Sequence, residues 1–257
     1  MRSGPQSLLR TVTATRYLSA FRTSSSVPIL VEADDDGVYV LKLRGAGQGA
    51  RALVAELVAG AIGRVLGLPV PEIVLVHFDP VVTHAERDAE LRDLFEASAG
   101  LALGLDYLPG AVAFDPLRHP PPAPDLAARI VLFDCFVMNV DRRARPNNLL
   151  IWHGRLYLID HGAALSFQYN WTTAPDVAGP DVEQHVLWPF VGDLRAAAQI
   201  FSGLDDRTLA AIAAAIPDEW LTGEPRFSHP GEYRAAYVGF LSRRRTAVAA
   251  FARSKSK

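Results

Sequence analysis

Residues 139–162 read NVDRRARPNNLLIWHGRLYLIDHG, and this segment is the most informative part of the chain. It follows an apolar stretch of helical length, residues 126–139, and begins with a loop of charged and amide side chains. Two short apolar runs come next, residues 149–152 and 156–159, with a turn at His153-Gly154 between them. The pattern predicts a helix, a polar loop and a β-hairpin that ends at Asp160.

This segment gathers the groups that phosphoryl transfer uses. One Asp orients and deprotonates the incoming hydroxyl, while an Asn and a second Asp hold Mg²⁺ on the nucleotide phosphates. Asp141 is the candidate base, and Asn148 and Asp160 are candidate ligands because Mg²⁺ prefers oxygen. Taken singly, each has a structural explanation: a surface ion pair at a helix end, common loop residues, or an ordinary turn at Asp160-His161-Gly162. For His161 a structural role is favoured.

A single lysine stands in a strand-like run upstream. Of 26 basic residues only three are Lys, namely Lys42, Lys255 and Lys257. A coding bias toward Arg explains the scarcity, but it does not explain why Lys42 persists within Val-Tyr-Val-Leu-Lys-Leu. Lysine is a compact charge on a flexible stem and suits a reach from a strand to a phosphate. We predict that Lys42 has this role and that Glu56, on the following helix, braces it.

Working outward, the first half of the chain reads as a small sheet with one main helix. Its predicted strands are residues 27–33, 38–43 and 73–78, its helices 50–66 and 85–98, and an extended segment spans 101–108. An Asp36-Gly37 hairpin turn joins the first two strands. Residues 11–22 show a mixed pattern that favours neither state.

The second half begins after a proline-rich stretch at residues 119–124, which predicts a stiff linker. Helix dominates from residue 181 to 253. The order of elements predicts an α+β fold with two lobes and a cleft near the linker. The N-terminal lobe, residues 11–110, is small and β-rich with one main helix, and the C-terminal lobe, residues 125–253, is larger and mainly helical. Residues 1–10 and 254–257 are expected to be disordered.

Two segments are candidate covers for the phosphates. Gly45, Gly47 and Gly49 follow the lysine strand, although a flexible turn into the next helix explains them equally well. The polar loop that contains Ser24, Ser25 and Ser26 precedes the lysine and is the alternative.

Composition excludes several other classes. The formal net charge is −2, which gives no reason to expect nucleic acid as a direct partner. Cys135 is the single cysteine, so an internal disulfide or cysteine-based zinc cluster is excluded; a buried, inert thiol is expected. No apolar run has the length of a membrane span, and no secretory signal is visible, so a cytoplasmic protein without a membrane partner is expected.

Residues 12–167 resemble the small stand-alone HipA-like kinases, bacterial relatives of the toxin kinase HipA and more distantly similar to protein and phosphoinositide kinases. The similar segments are VEAD (31–34), LKLRGAGQG (41–49), LDYLPG (105–110) and LIDHGAAL (158–165). The resemblance implies a bilobed kinase fold with ATP and Mg²⁺ between the lobes. It matches Lys42 to the phosphate-binding lysine, Asp141 to the catalytic aspartate and Asp160 to the metal aspartate. The extended segment near residues 103–108, with Asp106, Tyr107 and Leu108 as candidate nucleotide-binding residues, would form the hinge against adenine.

One position departs from the family pattern. The HipA family places an Asn five residues beyond the catalytic Asp, where this chain has Pro146. Asn147 and Asn148 follow at six and seven, and Asn148 is preferred because it directly precedes the apolar strand. The leading hypothesis is a kinase that transfers the γ-phosphate of ATP to a hydroxyl, with protein Ser/Thr as the acceptor. The alternatives are a nucleotide-binding pseudokinase, which Pro146 favours, and a small-molecule phosphotransferase.

Overall fold

The structure is a computed structural model that describes residues 9–22, 26–84, 86–143, 147–171 and 181–255. In these ranges it is a mixed α+β fold. The strands are β1 (Arg10–Ala20), β2 (Ile29–Ala33), β3 (Val38–Lys42), β4 (Ile73–Phe78), β5 (Gly100–Asp106), β6 (Val112–Ala113), β7 (Leu149–Trp152) and β8 (Arg155–Leu158). The α-helices are α1 (Ala50–Val65), α2 (Ala89–Ala97), α3 (Pro124–Val137), α4 (Leu194–Ala197), α5 (Asp206–Ala214) and α6 (Pro230–Lys255).

The first five strands form a closed barrel in the order β1-β2-β3-β5-β4. β1 closes it by pairing antiparallel with β2 and parallel with β4. Alternate side chains of these strands point inward, and Ile29, Val31, Leu41 and Val76 are fully buried there. The barrel fixes β3, and therefore Lys42 at its end, next to β5, where Lys42 lies opposite Leu103.

α1 is the helix that crosses from the barrel to the helical part of the chain. Every residue from Leu53 to Gly63 is buried, because apolar and small side chains surround the helix on all sides. Its apolar side chains share one core with α3 and α6, whereas the barrel interior forms a second core. This burial holds Glu56 at a fixed position between the two.

α3 leads into the loop that carries Asp141, and β7 and β8, two strands of a three-stranded sheet, follow that loop in the chain. The sheet has the order β6-β7-β8, and the β7–β8 hairpin returns the chain to Asp160. Pro124 occupies the first helical turn of α3, where its missing N–H costs nothing. α5 and α6 pack together and cover the outer side of the helical core.

Three sequence-based expectations differ from the structure. Residues 11–22, left unassigned, contain most of β1, because its outward positions carry Arg and Thr and only Val12 and Ala14 point fully inward. The second helix begins at Ala89 and not at residue 85, since the Asp88 carboxylate accepts from the amides of Glu90 and Leu91 and caps it there.

The third difference concerns the chain ends. Arg10 lies in β1, inside the range expected to be disordered. α6 continues to Lys255, two residues into the tail expected to be disordered, and Lys255 Nζ lies 2.9 Å from Glu183 Oε1. Alanine and arginine near the end of α6 favour continuation of the helix.

Across the described ranges, no helix combines the length and apolar character needed to cross a lipid bilayer.

Candidate active site

Lys42 and Asp160 meet at the centre of the candidate site, although 118 positions of sequence separate them. Lys42 Nζ donates to Asp160 Oδ1 at 2.6 Å. The lysine side chain is only 12% exposed. Burial alone would lower the pKa of Lys42, but the charges of Glu56 and Asp160 outweigh it and raise that pKa. The ammonium is therefore held charged in a largely enclosed place.

Glu56, the residue expected to brace this lysine, is the second acid beside it. Its side chain is 1% exposed, and Oε2 lies 3.9 Å from Lys42 Nζ. Burial would raise the pKa of Glu56, but Lys42 and a hydrogen bond from His161 lower it to about 2. Glu56 therefore carries its charge inside the fold and keeps Lys42 in place.

His161 is the second partner of the Glu56 carboxylate, on the oxygen that does not face Lys42. Its Nδ1 lies 3.3 Å from Glu56 Oε1, and its ring packs edge-on against Phe133 at 5.7 Å between centroids. The side chain is completely buried. This placement agrees with the structural role favoured from the sequence.

Asp141 lies at the exposed edge of the same cavity. Lys42, Glu56, Asp141 and Asp160 all line this space of about 190 Å³. Partial desolvation and the nearby negative charge of Asp160 raise the pKa of Asp141 above its ordinary value. A carboxylate with a raised pKa has increased affinity for a proton, as a general base requires.

Both candidate phosphate covers border this cavity where the structure describes them. Ser26 and Gly47 each line it, and a Cβ placed on Gly47 would lie 3.9 Å from the Ser26 Cβ. Gly47 has φ 55°, a left-handed conformation that glycine adopts without strain. Ser24 and Ser25 lie outside the described residues.

A second, more apolar cavity of about 360 Å³ adjoins the first and shares Lys42 and Asp160 with it. Its wall includes Asp106, Tyr107 and Leu108, the predicted hinge. The amides of Asp106 and Tyr107 donate to the carbonyls of Glu72 and Val38, which fixes the segment against the barrel. Burial and the charge of Glu72 raise the pKa of Asp106.

The two asparagines after Pro146 have different surroundings. Asn147 is buried; its Nδ2 donates to the Phe114 carbonyl at 2.8 Å and its Oδ1 accepts from the Leu149 amide. Asn148 has φ 51°, and no hydrogen bond of its side chain occurs with the described residues. Its carbonyl accepts from the Ile159 amide, next to Asp160. Pro146 itself lies outside the described residues.

The residues present suit a magnesium–nucleotide more than a protein-only metal cage. In the described part of the chain, no group of three or more His, Cys, Asp or Glu side chains could hold a metal. The carboxylate of Asp160 is the kind of donor that Mg²⁺ accepts together with phosphates. Asn148 carries an oxygen of the same kind, but it lines a neighbouring cavity with Asn147 and Phe114 and not the cavity that Lys42, Asp141 and Asp160 line. Lys42 next to Asp160 supplies the positive charge that phosphates need.

Sequence reasoning missed Asp134 and Arg142, which are joined by hydrogen bonds to the segments that carry the site residues. Asp134 is 1% exposed within α3, and Arg142 is likewise buried and pairs with it. The available signal was an acid in the middle of an otherwise apolar helical run, residues 131–137. Such an acid requires buried partners.

Comparison with solved structures supports a kinase fold. The Helicobacter pylori proinflammatory kinase CtkA aligns over 97% of this chain and 100% of its own, with a TM-score of 0.60 and 14% identity. The Golgi casein kinase aligns over 97% of this chain and 73% of its own, with a TM-score of 0.48 and 15% identity. Its structure with Mn/ADP bound aligns over 96% and 74%, with a TM-score of 0.45 and 15% identity.

Comparison of sequences gives the family. No curated protein sequence matches the chain. A sequence model described as HipA-like kinase matches residues 16–247, which include barrel strands β2 to β5 and the loops that carry Asp141 and Asp160. The chain therefore belongs to the HipA-like kinase family.

Proposed function

We propose that this protein is an active, two-lobed kinase that transfers the γ-phosphate of ATP to a hydroxyl group of a protein serine or threonine. The observation that carries the proposal is the contact of Lys42 with Asp160, braced by Glu56. Three separate elements supply these side chains: β3, the segment after β8, and α1. A purely structural ion pair does not need a second buried acid and an open cavity beside it.

In this proposal the nucleotide lies across the two adjoining cavities. Adenine enters the apolar cavity against residues 106–108. The main-chain N–H of Leu108 donates to the adenine ring, because the main-chain N–H groups of Asp106 and Tyr107 already donate within the protein. Lys42 holds the phosphates, and its charge is maintained by Glu56. Ser26 and Gly47 cover the phosphates from the barrel side.

Asp160 and Asn148 are the residues that hold the divalent metal. Bound there with the phosphates, Mg²⁺ would neutralise the charge that develops during transfer. We prefer Asn148 to Asn147 as the ligand, because the side-chain amide of Asn147 is engaged in two hydrogen bonds, to the Phe114 carbonyl and from the Leu149 amide.

Asp141 acts as the base. It accepts the proton of the acceptor hydroxyl while the acceptor oxygen forms a bond to the γ-phosphorus and the bond from that phosphorus to the β–γ bridging oxygen breaks. ADP leaves, and the proton stays on Asp141 until solvent removes it. The exposed position of Asp141 allows a large acceptor such as a protein side chain to approach. Protein serine or threonine is the acceptor class that we propose for this site.

The decisive experiment is incubation with γ-labelled ATP and Mg²⁺ or Mn²⁺, followed by measurement of self-labelling and of label transfer to a cell lysate and to free phosphoacceptor sugars. We expect protein-bound label from the parent and none from Lys42→Met. Lys255→Met is the matched control, because Lys255 makes only a surface ion pair. Nucleotide binding without any transfer would favour the pseudokinase, and label on small molecules alone would favour the small-molecule phosphotransferase.

A further inference from the structure

Asp134 is an acid buried in the apolar helix α3, and three side chains surround it. Its Oδ1 accepts from Asn139 Nδ2 at 3.0 Å. Its Oδ2 lies 2.6 Å from Arg142 Nε and 2.9 Å from His185 Nε2. Burial would raise the pKa of Asp134, but Arg142 and His185 outweigh it and lower that pKa. Asp134 is thus a buried negative charge. Burying such a charge costs free energy unless its ion-pair and hydrogen-bond partners offset that cost.

Arg142 extends this charge to two of the loops that carry the site. Its side chain is fully buried, and Nη1 donates to the carbonyl of Asn148 at 2.6 Å. The same Nη1 lies 3.3 Å from the carbonyl of Ile159, the residue before Asp160. One guanidinium therefore joins the backbone at the proposed metal amide to the backbone at the proposed metal carboxylate.

Both of these loops have strained backbones. Asn148 has φ 51° and Asp160 has φ 55°, in the left-handed region that non-glycine residues seldom adopt. Such conformations persist only where the surroundings hold them. Arg142 donates to the carbonyl of Asn148 and to the carbonyl of Ile159, the residue before Asp160. These two hydrogen bonds can therefore hold the backbone of Asn148 and of Asp160 in the left-handed conformation.

Asn139 connects Asp134 to the third loop. Its Nδ2 donates to Asp134, and its Oδ1 accepts from the amide of Asp141 at 3.1 Å. The main-chain N–H of Asn139 also donates to the main-chain carbonyl of Asp134 at 2.8 Å. The proposed base is therefore tied to the same buried acid as the two proposed metal ligands.

His185 closes the network from the C-terminal side. Its Nδ1 accepts from the Leu187 amide at 3.0 Å, so in the neutral ring Nε2 carries the proton and donates to Asp134. The amide of the adjacent Val186 donates to the Arg142 carbonyl at 2.8 Å. The segment after residue 181 thus holds both members of the buried ion pair.

We propose that Asp134 and Arg142 are positioning residues that fix Asp141, Asn148 and Asp160 relative to one another. This inference rests on the proposed kinase function. Neither residue is assigned a contact with substrate; they act through Asn139 and through the carbonyls of Asn148 and Ile159. Loss of such supporting partners commonly reduces activity or metal affinity by about 10- to 100-fold.

The test compares two buried arginines that each donate to a main-chain carbonyl. Arg142→Lys removes the forked contact, since an ammonium cannot pair with Asp134 and reach both carbonyls. Arg244→Lys is the matched control: Arg244 is also buried and donates to the Cys135 carbonyl of α3 at 2.6 Å. We expect kcat to fall about 10- to 100-fold in Arg142→Lys only, with a higher metal requirement and little change in KM for ATP.

Amide hydrogen exchange in the unliganded protein gives a readout that does not depend on catalysis. Arg142→Lys should speed exchange of the Ile159 amide by about tenfold, the scale of one charge-assisted hydrogen bond. Asn139→Ala is a milder variant that leaves the Asp134–Arg142 pair intact; it should speed exchange at Asp141 and lower kcat. Asn139→Ala provides the test of the inference if Arg142→Lys does not fold.

Equal kcat and equal exchange in Arg142→Lys and Arg244→Lys, or in Asn139→Ala and the parent, would overturn the inference. If the parent binds no nucleotide and transfers no label, the proposed function fails. Exchange at Asp141 and Ile159 still decides, in that case, whether Arg142 and Asn139 fix these loops.

Discussion

At the scale of single residues, Glu56 shows how a buried charge is maintained. A carboxylate with 1% exposure is tolerated because Lys42 and His161 face its two oxygens. Its pKa falls from 4.5 to about 2 on folding, so ionised Glu56 stabilises the fold above about pH 4.5. That contribution is lost as the pH falls from there toward 2, when the folded protein must also take up the proton.

Glu56→Gln should therefore lower the free energy of unfolding at pH 7 by roughly 3–5 kcal/mol, the cost of removing one partner of a buried pair. It should also flatten the dependence of stability on pH between about 5 and 2. Urea unfolding at several pH values measures both effects. Glu72→Gln is the control, because Glu72 forms an exposed pair with Arg10 and should cost only about 0–1 kcal/mol. A parallel pH profile for Glu56→Gln and the parent would contradict the assignment of charge to Glu56.

The two asparagines after Pro146 offer a second test at this scale. Asn148→Gly should remove most transfer activity and raise the Mg²⁺ requirement, with little loss of stability, because glycine adopts the left-handed conformation of this position without strain and the Asn148 side chain makes no hydrogen bond to the described residues. Asn147→Ala should instead lower stability by roughly 1–3 kcal/mol, since it leaves the Phe114 carbonyl and the Leu149 amide without their partner. Metal titration of activity and thermal melting separate the two. The reverse assignment of effects would remove Asn148 from the metal site.

At the scale of elements, the barrel depends on close contact between β4 and β5. Gly104 on β5 faces β4, and an added Cβ would lie 2.8 Å from Val76 Cγ2 and 2.9 Å from Val74 Cγ2. Both valines are fully buried and β-branched, so neither has an easy alternative rotamer. Gly104→Ala should destabilise the protein by roughly 1–3 kcal/mol through overpacking.

Thermal melting of Gly104→Ala beside Gly203→Ala provides the measurement. At Gly203 nothing lies within 4 Å of an added Cβ, so that variant should melt close to the parent. An unchanged melting temperature for Gly104→Ala would mean that β4 and β5 are further apart than the structure has them.

The strands and the site residues differ in how well their positions could be predicted from the sequence. β4 and β7 have the predicted bounds, because each is a short, mainly apolar run between polar or turn residues. β1 was not predicted because a barrel strand with one solvent-exposed face needs few apolar residues. Arg10, Thr11 and Thr13 occupy exposed positions of this strand and obscure its alternating pattern. Lys42, Glu56 and Asp160 could be linked in advance through the order of motifs. Asp134 and Arg142 could not, since their pairing depends on how α3 packs against the loop that follows it.

At the scale of the whole molecule, the proposed nucleotide site lies where the barrel, α1 and the hairpin after α3 meet. Lys42 belongs to the barrel, whereas Asp141 and Asp160 belong to segments around α3 and β8. A ligand that contacts all three binds the folded chain and not the unfolded one. It must therefore raise the stability of the protein by mass action.

ATP with Mg²⁺ at about 100 times its Kd should raise the free energy of unfolding by about 2.7 kcal/mol, seen as an increase in melting temperature. Lys42→Met should abolish this increase, because the phosphates lose their cation in a cavity that also contains Glu56 and Asp160. Asp141→Asn should retain the increase but transfer no phosphate, since Asp141 acts on the acceptor and its removal reduces the negative charge near the phosphates. Desolvation and, after it, the charge of Asp160 raise the pKa of Asp141, so the two carboxylates are close enough to repel one another. Absence of any increase in the parent would mean that the chain does not bind ATP with Mg²⁺. Loss of the increase in Asp141→Asn alone would mean that Asp141 takes part in nucleotide or metal binding and is not the base only.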